Sequence, residues 1–192
     1  MKTVLLVLFT LLLTIQCSAK KMNYPLEVVA GMADLIVTGE IASVSEGVYQ
    51  FNVSENIKGK SEATITVKMF HEWTCDVRWK KAEKGQQLFL FLLKKEGKYE
   101  IINGSTGELF IVDERVNGFG FGGKDQQLEA YKTAIKNFTK CYSYEGKYPD
   151  NSSKFRQLVN DKTMEVLRVN SKLSTVLFDR VKHYTLIPFE KK

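Results

Sequence analysis

The chain has 192 residues, 44% of them apolar and 26% charged, and a formal net charge of +6. That balance excludes a disordered or collagen-like chain and leaves enough apolar surface for one ordinary core with an appendage, or for two small ones. The positive charge permits weak attraction to polyanions, but the basic residues are scattered among acidic ones and Lys20, Lys21, Lys191 and Lys192 are terminal, so a solvated surface is expected rather than an anion site.

Lys2 leads into an apolar run from Val4 to Ile15 that closes on Ser18 and Ala19, the layout of a secretory signal peptide over residues 1–19. The mature protein is therefore expected outside the cytosol, either secreted or in the periplasm or cell envelope. The run is short for a bilayer, and no later stretch approaches the roughly 20 apolar residues a membrane helix needs, so no transmembrane segment is expected. Export changes the meaning of Cys17, Cys75 and Cys141, because outside the cytosol paired cysteines read as disulfides. Cleavage after Ala19 fits the small-residue rule and leaves Cys75 and Cys141 as the pair, which would pin a helix to the preceding sheet and contribute about 2 to 4 kcal/mol. Bacterial lipidation of Cys17 is a further alternative, with Thr14, Ile15 and Gln16 forming a poor recognition box.

Residues 20–115 are expected to form the barrel unit, with a strand grammar from Ala33 to about Asp113. Pro25 to Met32 reads as a short helix with proline at its first position. Leu35, Val37, Gly39 and Ile41 then alternate with Ile36, Thr38, Glu40 and Ala42, and Tyr49, Phe51 and Val53 with Gln50, Asn52 and Ser54. Further strands are expected over Ala63–Phe70, over the densely apolar Gln87–Lys94, and over Lys98–Asn103 and Gly107–Asp113 about the turn at Gly104 to Thr106. Six short strands joined by turns point to a small antiparallel barrel or sandwich, and the barrel is the cheaper solution because closure removes exposed edges.

The grammar changes over residues 116–192, where a helical region is expected. Gly118, Gly120, Gly122 and Gly123 punctuate a connector whose spacing fits neither phosphate-binding fingerprint. Leu128, Tyr131, Ile135 and Phe138 then fall at helical spacing between Asp125 and Cys141, on a face expected to dock on the sheet. Ser143–Ser153 reads as a polar loop. A second helical stretch carries Phe155, Leu158, Val159, Val166 and Leu167, and a third starts at the N-cap Ser171, carries Leu173, Val176, Leu177, Val181 and Tyr184, and stops before Pro188. The fold class is thus α+β, a barrel followed by helices.

Little in the chain carries catalysis. His71 and His183 lie in different halves, so no zinc set forms and no cofactor is expected. A cysteine nucleophile at Cys75 with His71 as base lacks an orienting group and an oxyanion hole, and no enzyme is expected. The segment Phe70–Trp79 stands out because Phe70, His71, Trp73, Arg78 and Trp79 crowd one connection that holds both tryptophans. Aromatic residues and arginine serve equally as binding hot spots and as core, so both readings stand. Asn52, Asn103, Asn137 and Asn151 begin Asn-x-Ser/Thr triplets, acceptors only in a eukaryotic secretory pathway. Export also argues against a nucleic-acid partner.

The run Ala33-Asp34-Leu35-Ile36-Val37-Thr38-Gly39, followed by Phe51, Val53 and Ile57-Lys58-Gly59, resembles the opening of the tissue inhibitors of metalloproteinases. Gly85 before the apolar strand, Tyr99 and Gly104-Ser105 extend the resemblance, which runs from about Cys17 to Asp113. It implies a netrin-like fold, an oligomer-binding-type five-stranded barrel, and a secreted metalloprotease or other extracellular protein as partner. In that family the mature chain starts with a cysteine whose amine and carbonyl chelate the target's catalytic zinc, and whose side chain is bonded to a barrel cysteine. Cys17 and Cys75 are similar to that pair, which sets cleavage before Cys17 against cleavage after Ala19. Ala19 stands where the family carries a second cysteine, so one anchoring disulfide is missing. The competing expectation is a barrel that binds protein or glycan with no effect on proteases.

Overall fold

The structure, a computed structural model, describes residues 20–117, 126–150 and 152–190. The signal segment, Cys17 and the glycine-rich connector lie outside the described residues.

A short helix, α1 (Leu26–Met32), follows Pro25, whose carbonyl accepts from the amides of Val28 and Val29. The barrel strands are β1 (Leu35–Ser45), β2 (Val48–Lys58), β3 (Thr64–Lys68), β4 (Gln87–Lys95) and β5 (Lys98–Ile101). Hydrogen bonding runs β1-β2-β3-β5-β4, and β4 pairs back onto β1 from Leu35↔Leu92 to Glu40↔Gln87, which closes the ring. The expected antiparallel barrel is therefore corrected to a mixed one. A ring with an odd number of strands cannot alternate direction throughout, and the one parallel seam is β3 against β5, at Val67↔Tyr99 and Lys68↔Glu100. The β4–β5 hairpin turns through Glu96 and Gly97, both at positive φ, the backbone a two-residue turn needs to match strand twist.

Alternation assigns the two faces. Leu35, Val37 and Ile41 of β1 and Leu88, Leu90 and Leu92 of β4 fill the barrel interior with Tyr49, Phe51, Ile65 and Val67. Ile36, Phe89 and Phe91 point outward into a second core. Strand β4 is thus apolar on both faces, which explains its unbroken run of large side chains. At Gly39 the chains approach so closely that a Cβ would collide with the Asn52 carbonyl and the Phe51 ring.

The sheet continues from β4 into β6 (Glu108–Val112), β7 (Arg115–Asn117) and the two-residue β8 (Gln126–Gln127). The expected boundary between residues 115 and 116 therefore falls inside β7. Helix α2 (Leu128–Cys141) buries Leu128, Tyr131, Ala134, Ile135 and Phe138, a stripe at three- and four-residue spacing, and sets the edge of Tyr131 on Phe89 at 5.0 Å.

The rest of the chain is less helical than expected. Strands β9 (Tyr142–Glu145), β10 (Lys154–Gln157) and β11 (Thr185–Ile187) form a second sheet, β9–β10 antiparallel and β10–β11 parallel. Phe155 belongs to β10, so the second helical stretch shortens to α3 (Asp161–Arg168), capped by Asn160 through the Thr163 amide. The third is α4 (Lys172–Arg180), capped by Ser171 as expected. The small sheet contributes Tyr142 and Phe155 to the second core, and Phe155 is ringed by Phe138, Tyr144 and Tyr184 at 5.0 to 6.0 Å between centroids. Buried Glu27 of α1 accepts from Arg180 and the Tyr184 hydroxyl, tying the chain's beginning to its end. None of the helices among the described residues is long and apolar enough to cross a membrane.

Candidate functional site

The irregular connection between β3 and β4 crosses one end of the barrel, and the structure sorts its residues by direction. Arg78 turns inward. Its Nε and Nη2 donate to the two Glu108 carboxylate oxygens at 2.7 and 2.9 Å, and the side chains are only 3% and 2% exposed. The Tyr49 hydroxyl donates to the same carboxylate at 3.0 Å. The guanidinium carbon lies 4.8 Å from the Phe70 ring centre and 5.7 Å from that of Tyr49. Burial pushes the Glu108 carboxyl above its ordinary range against the pull of Arg78, and burial with the Glu108 charge pushes the Tyr49 phenol well above its own. Arg78 is thus a barrel plug paired with an acid 30 residues further along the chain.

Trp73, Val77 and Trp79 turn outward and are 37%, 46% and 43% exposed. Trp79 keeps one edge on Phe110 at 5.5 Å. His71 is exposed. Of the five residues expected to bind, His71 and the two tryptophans are exposed, whereas Arg78 is buried and Phe70 half-buried at the barrel end.

Beside this connection lies a constellation that the sequence did not announce. The Lys21 ammonium donates to Asp76 Oδ1 at 2.7 Å, Ser105 Oγ at 2.9 Å and Thr106 Oγ1 at 3.3 Å, with Lys21 and Asp76 only 8% and 9% exposed in their side chains. Asp76 Oδ1 also accepts the Ser105 amide. Asn103, left-handed at φ 51°, accepts from the Tyr24 amide and donates to the Met22 carbonyl. The next residue, Gly104, is also at positive φ, and a Cβ there would run into the Asp76 carboxylate. Residues 21–24 are thereby strapped to the turn before β6. The expectation that Lys21 belongs to a solvated surface is corrected, because an acid 55 residues away receives it out of water.

Cys75 sits in the turn where Trp73 and Asp76 exchange backbone hydrogen bonds, and it is exposed. Cys141 is buried at the end of α2, where burial pushes its thiol up to about 11. Both are free thiols, so the expected Cys75–Cys141 bridge is not formed: one sulfur is at the surface of the barrel-end connection and the other in the core behind the barrel wall. Asn52 is exposed, whereas the amide groups of Asn103 and Asn137 are engaged with backbone and Asn151 lies outside the described residues. Among the described residues no group of three or more metal-ligating side chains converges.

No family model, no curated protein and no solved structure matches the chain.

Proposed function

We propose that the chain is an exported, non-enzymatic binding protein of the metalloproteinase-inhibitor type, built on a netrin-like, oligomer-binding-type barrel, with its mature N-terminus at Cys17. The strand order with a single parallel seam supports the barrel type. The observation that carries the functional reading is the strap: Lys21 is anchored on Asp76, the neighbour of Cys75. Cys17 stands four positions before Lys21, and four extended residues reach at most about 14 Å, so a bond between Cys17 and exposed Cys75 is within reach of the strap. In this reading the bond and the strap together hold the N-terminal amine and carbonyl rigidly outward, and those two atoms fill the open coordination position of a protease zinc. Exposed Trp73, Val77 and Trp79 then supply apolar contact area beside the chelating end.

The alternative is a barrel that binds protein or glycan through the same tryptophan surface without inhibiting anything. The two are separated by assaying the chain beginning at Cys17 against a panel of secreted zinc metalloproteases, alongside a form with one alanine added before Cys17. The inhibitor reading expects inhibition that the added residue abolishes, because acylating the amine removes the chelate. Absence of inhibition across the panel, or equal inhibition by both forms, leaves the alternative.

A further inference from the structure

Beside the Arg78 plug, at the barrel end crossed by the β3–β4 connection, lies a cavity of about 710 Å³, within the range of small-molecule sites. Met69, Phe70 and Ile101 form its apolar side, and Lys68, His71 and Arg78 also line it. Arg78 is the unusual member. A guanidinium has five N–H donors, of which Glu108 takes two, and among the described residues no protein acceptor meets the rest. Phe70 and Tyr49 lie at the guanidinium, and Glu108 holds the Nε edge, so the edge that remains for an incoming group is the Nη1 edge. Two acids also line the cavity, and both are engaged: Glu100 lies between Lys68 and Lys95 at 3.0 and 2.6 Å, and Glu72 accepts the Arg78 backbone amide.

We propose that this cavity binds a small organic carboxylate, with the acid group in the plane of the Arg78 guanidinium on its Nη1 edge and an apolar body against Phe70, Met69 and Ile101. A carboxylate is the group whose two oxygens match a planar fork of N–H donors, and a charge-assisted pair favours it over a neutral acceptor of the same shape. The pairing with Glu108 supplies pre-organisation, since it fixes the guanidinium before any ligand arrives. The site is independent of the N-terminal strap and of any inhibitory role.

The test uses the full mature chain, isotopically labelled for NMR and titrated separately with phenylacetate and with phenylacetamide, its uncharged counterpart. Phenylacetate is expected to saturate, to move the signals of Gly47, Ile101 and the Arg78 Nε–H, and to bind at least roughly tenfold more tightly than the amide. Equal affinity for acid and amide, no saturation by about 10 mM, or shifts confined to the Lys80–Lys84 surface would each overturn the proposal. Arg78→Lys keeps the charge and loses the fork, and is expected to erase the preference for the acid; a preserved preference would also overturn it. Should that variant not fold, the comparison of acid with amide on the unaltered chain decides alone.

Discussion

Replacing Lys21 by Met keeps the aliphatic stem and removes the ammonium that Asp76, Ser105 and Thr106 share. Asp76 is then left nearly buried with only the Ser105 amide on its Oδ1. Breaking a buried ion pair from one side costs about 3 to 5 kcal/mol, and the lower end applies here because the strap can lift away and let water reach the acid. The loss should therefore appear as local opening of residues 20–24, with the barrel intact. The Tyr24 amide, which donates to Asn103 Oδ1 at 3.0 Å, reports that opening directly. A loss of about 3 kcal/mol lowers its hydrogen-exchange protection by roughly a hundredfold. Amides of β4, deep in the barrel, should change far less, and Lys20→Met, at an exposed position, should change nothing. Unaltered Tyr24 protection in Lys21→Met would mean that the strap is held by something other than the buried ammonium.

Gly104→Ala should release the same strap, because the new methyl group meets the Asp76 carboxylate at a residue already in left-handed backbone; exchange at Tyr24 is again the readout. Arg78→Met should cost about 3 to 5 kcal/mol by leaving Glu108 buried and unpaired, whereas Arg78→Met combined with Glu108→Leu should cost less than either change alone, a coupling that urea denaturation of the four proteins measures. Tyr131→Phe should be neutral or stabilising by up to about 1 kcal/mol, since the hydroxyl is buried without a partner; a clear loss of stability would show that the oxygen is satisfied. Lys58 donates to the Ala30 and Gly31 carbonyls at the end of α1, and burial lowers its pKa from 10.5 to about 8. Between those values the unfolded chain binds the extra proton, so stability should rise with pH across the window, by at most ~3 kcal/mol, and Lys58→Met should flatten the rise. Buried Tyr49 and Tyr131 and half-buried Tyr184 act oppositely: their raised pKa values contribute stability below pH 10 that is lost as pH climbs further, so urea midpoints should pass through a maximum near the top of the lysine window.

What was legible in the sequence was what repeats locally. The period-two alternation of Leu35 to Ile41, the unbroken apolar run of β4 and the stripe of α2 each reflect a face buried along its whole length. Phe155 shows the limit, because β10 is four residues long and its large apolar residue also fits a helical stripe with Leu158 and Val159. The parallel seam follows from counting strands, yet only once the ring is known to contain five of them. The site was half legible. Crowded aromatic residues marked the Phe70–Trp79 connection, but an irregular segment has no period from which to tell that Arg78 turns in and Trp79 out. Lys21 carried no signal at all, since a lysine near a terminus reads as solvated and its burial depends on Asp76, Ser105 and Thr106, brought together only by the fold.

N-terminal sequencing and disulfide mapping of the natively secreted protein, without reduction, decide whether the mature chain presents Cys17 beside the exposed Trp73–Trp79 connection. The expected result is a free Cys17 amine at the terminus, a Cys17–Cys75 bond, and Cys141 as a thiol that reacts only on unfolding. A terminus at Lys20, or Cys75 bonded to Cys141, would contradict it.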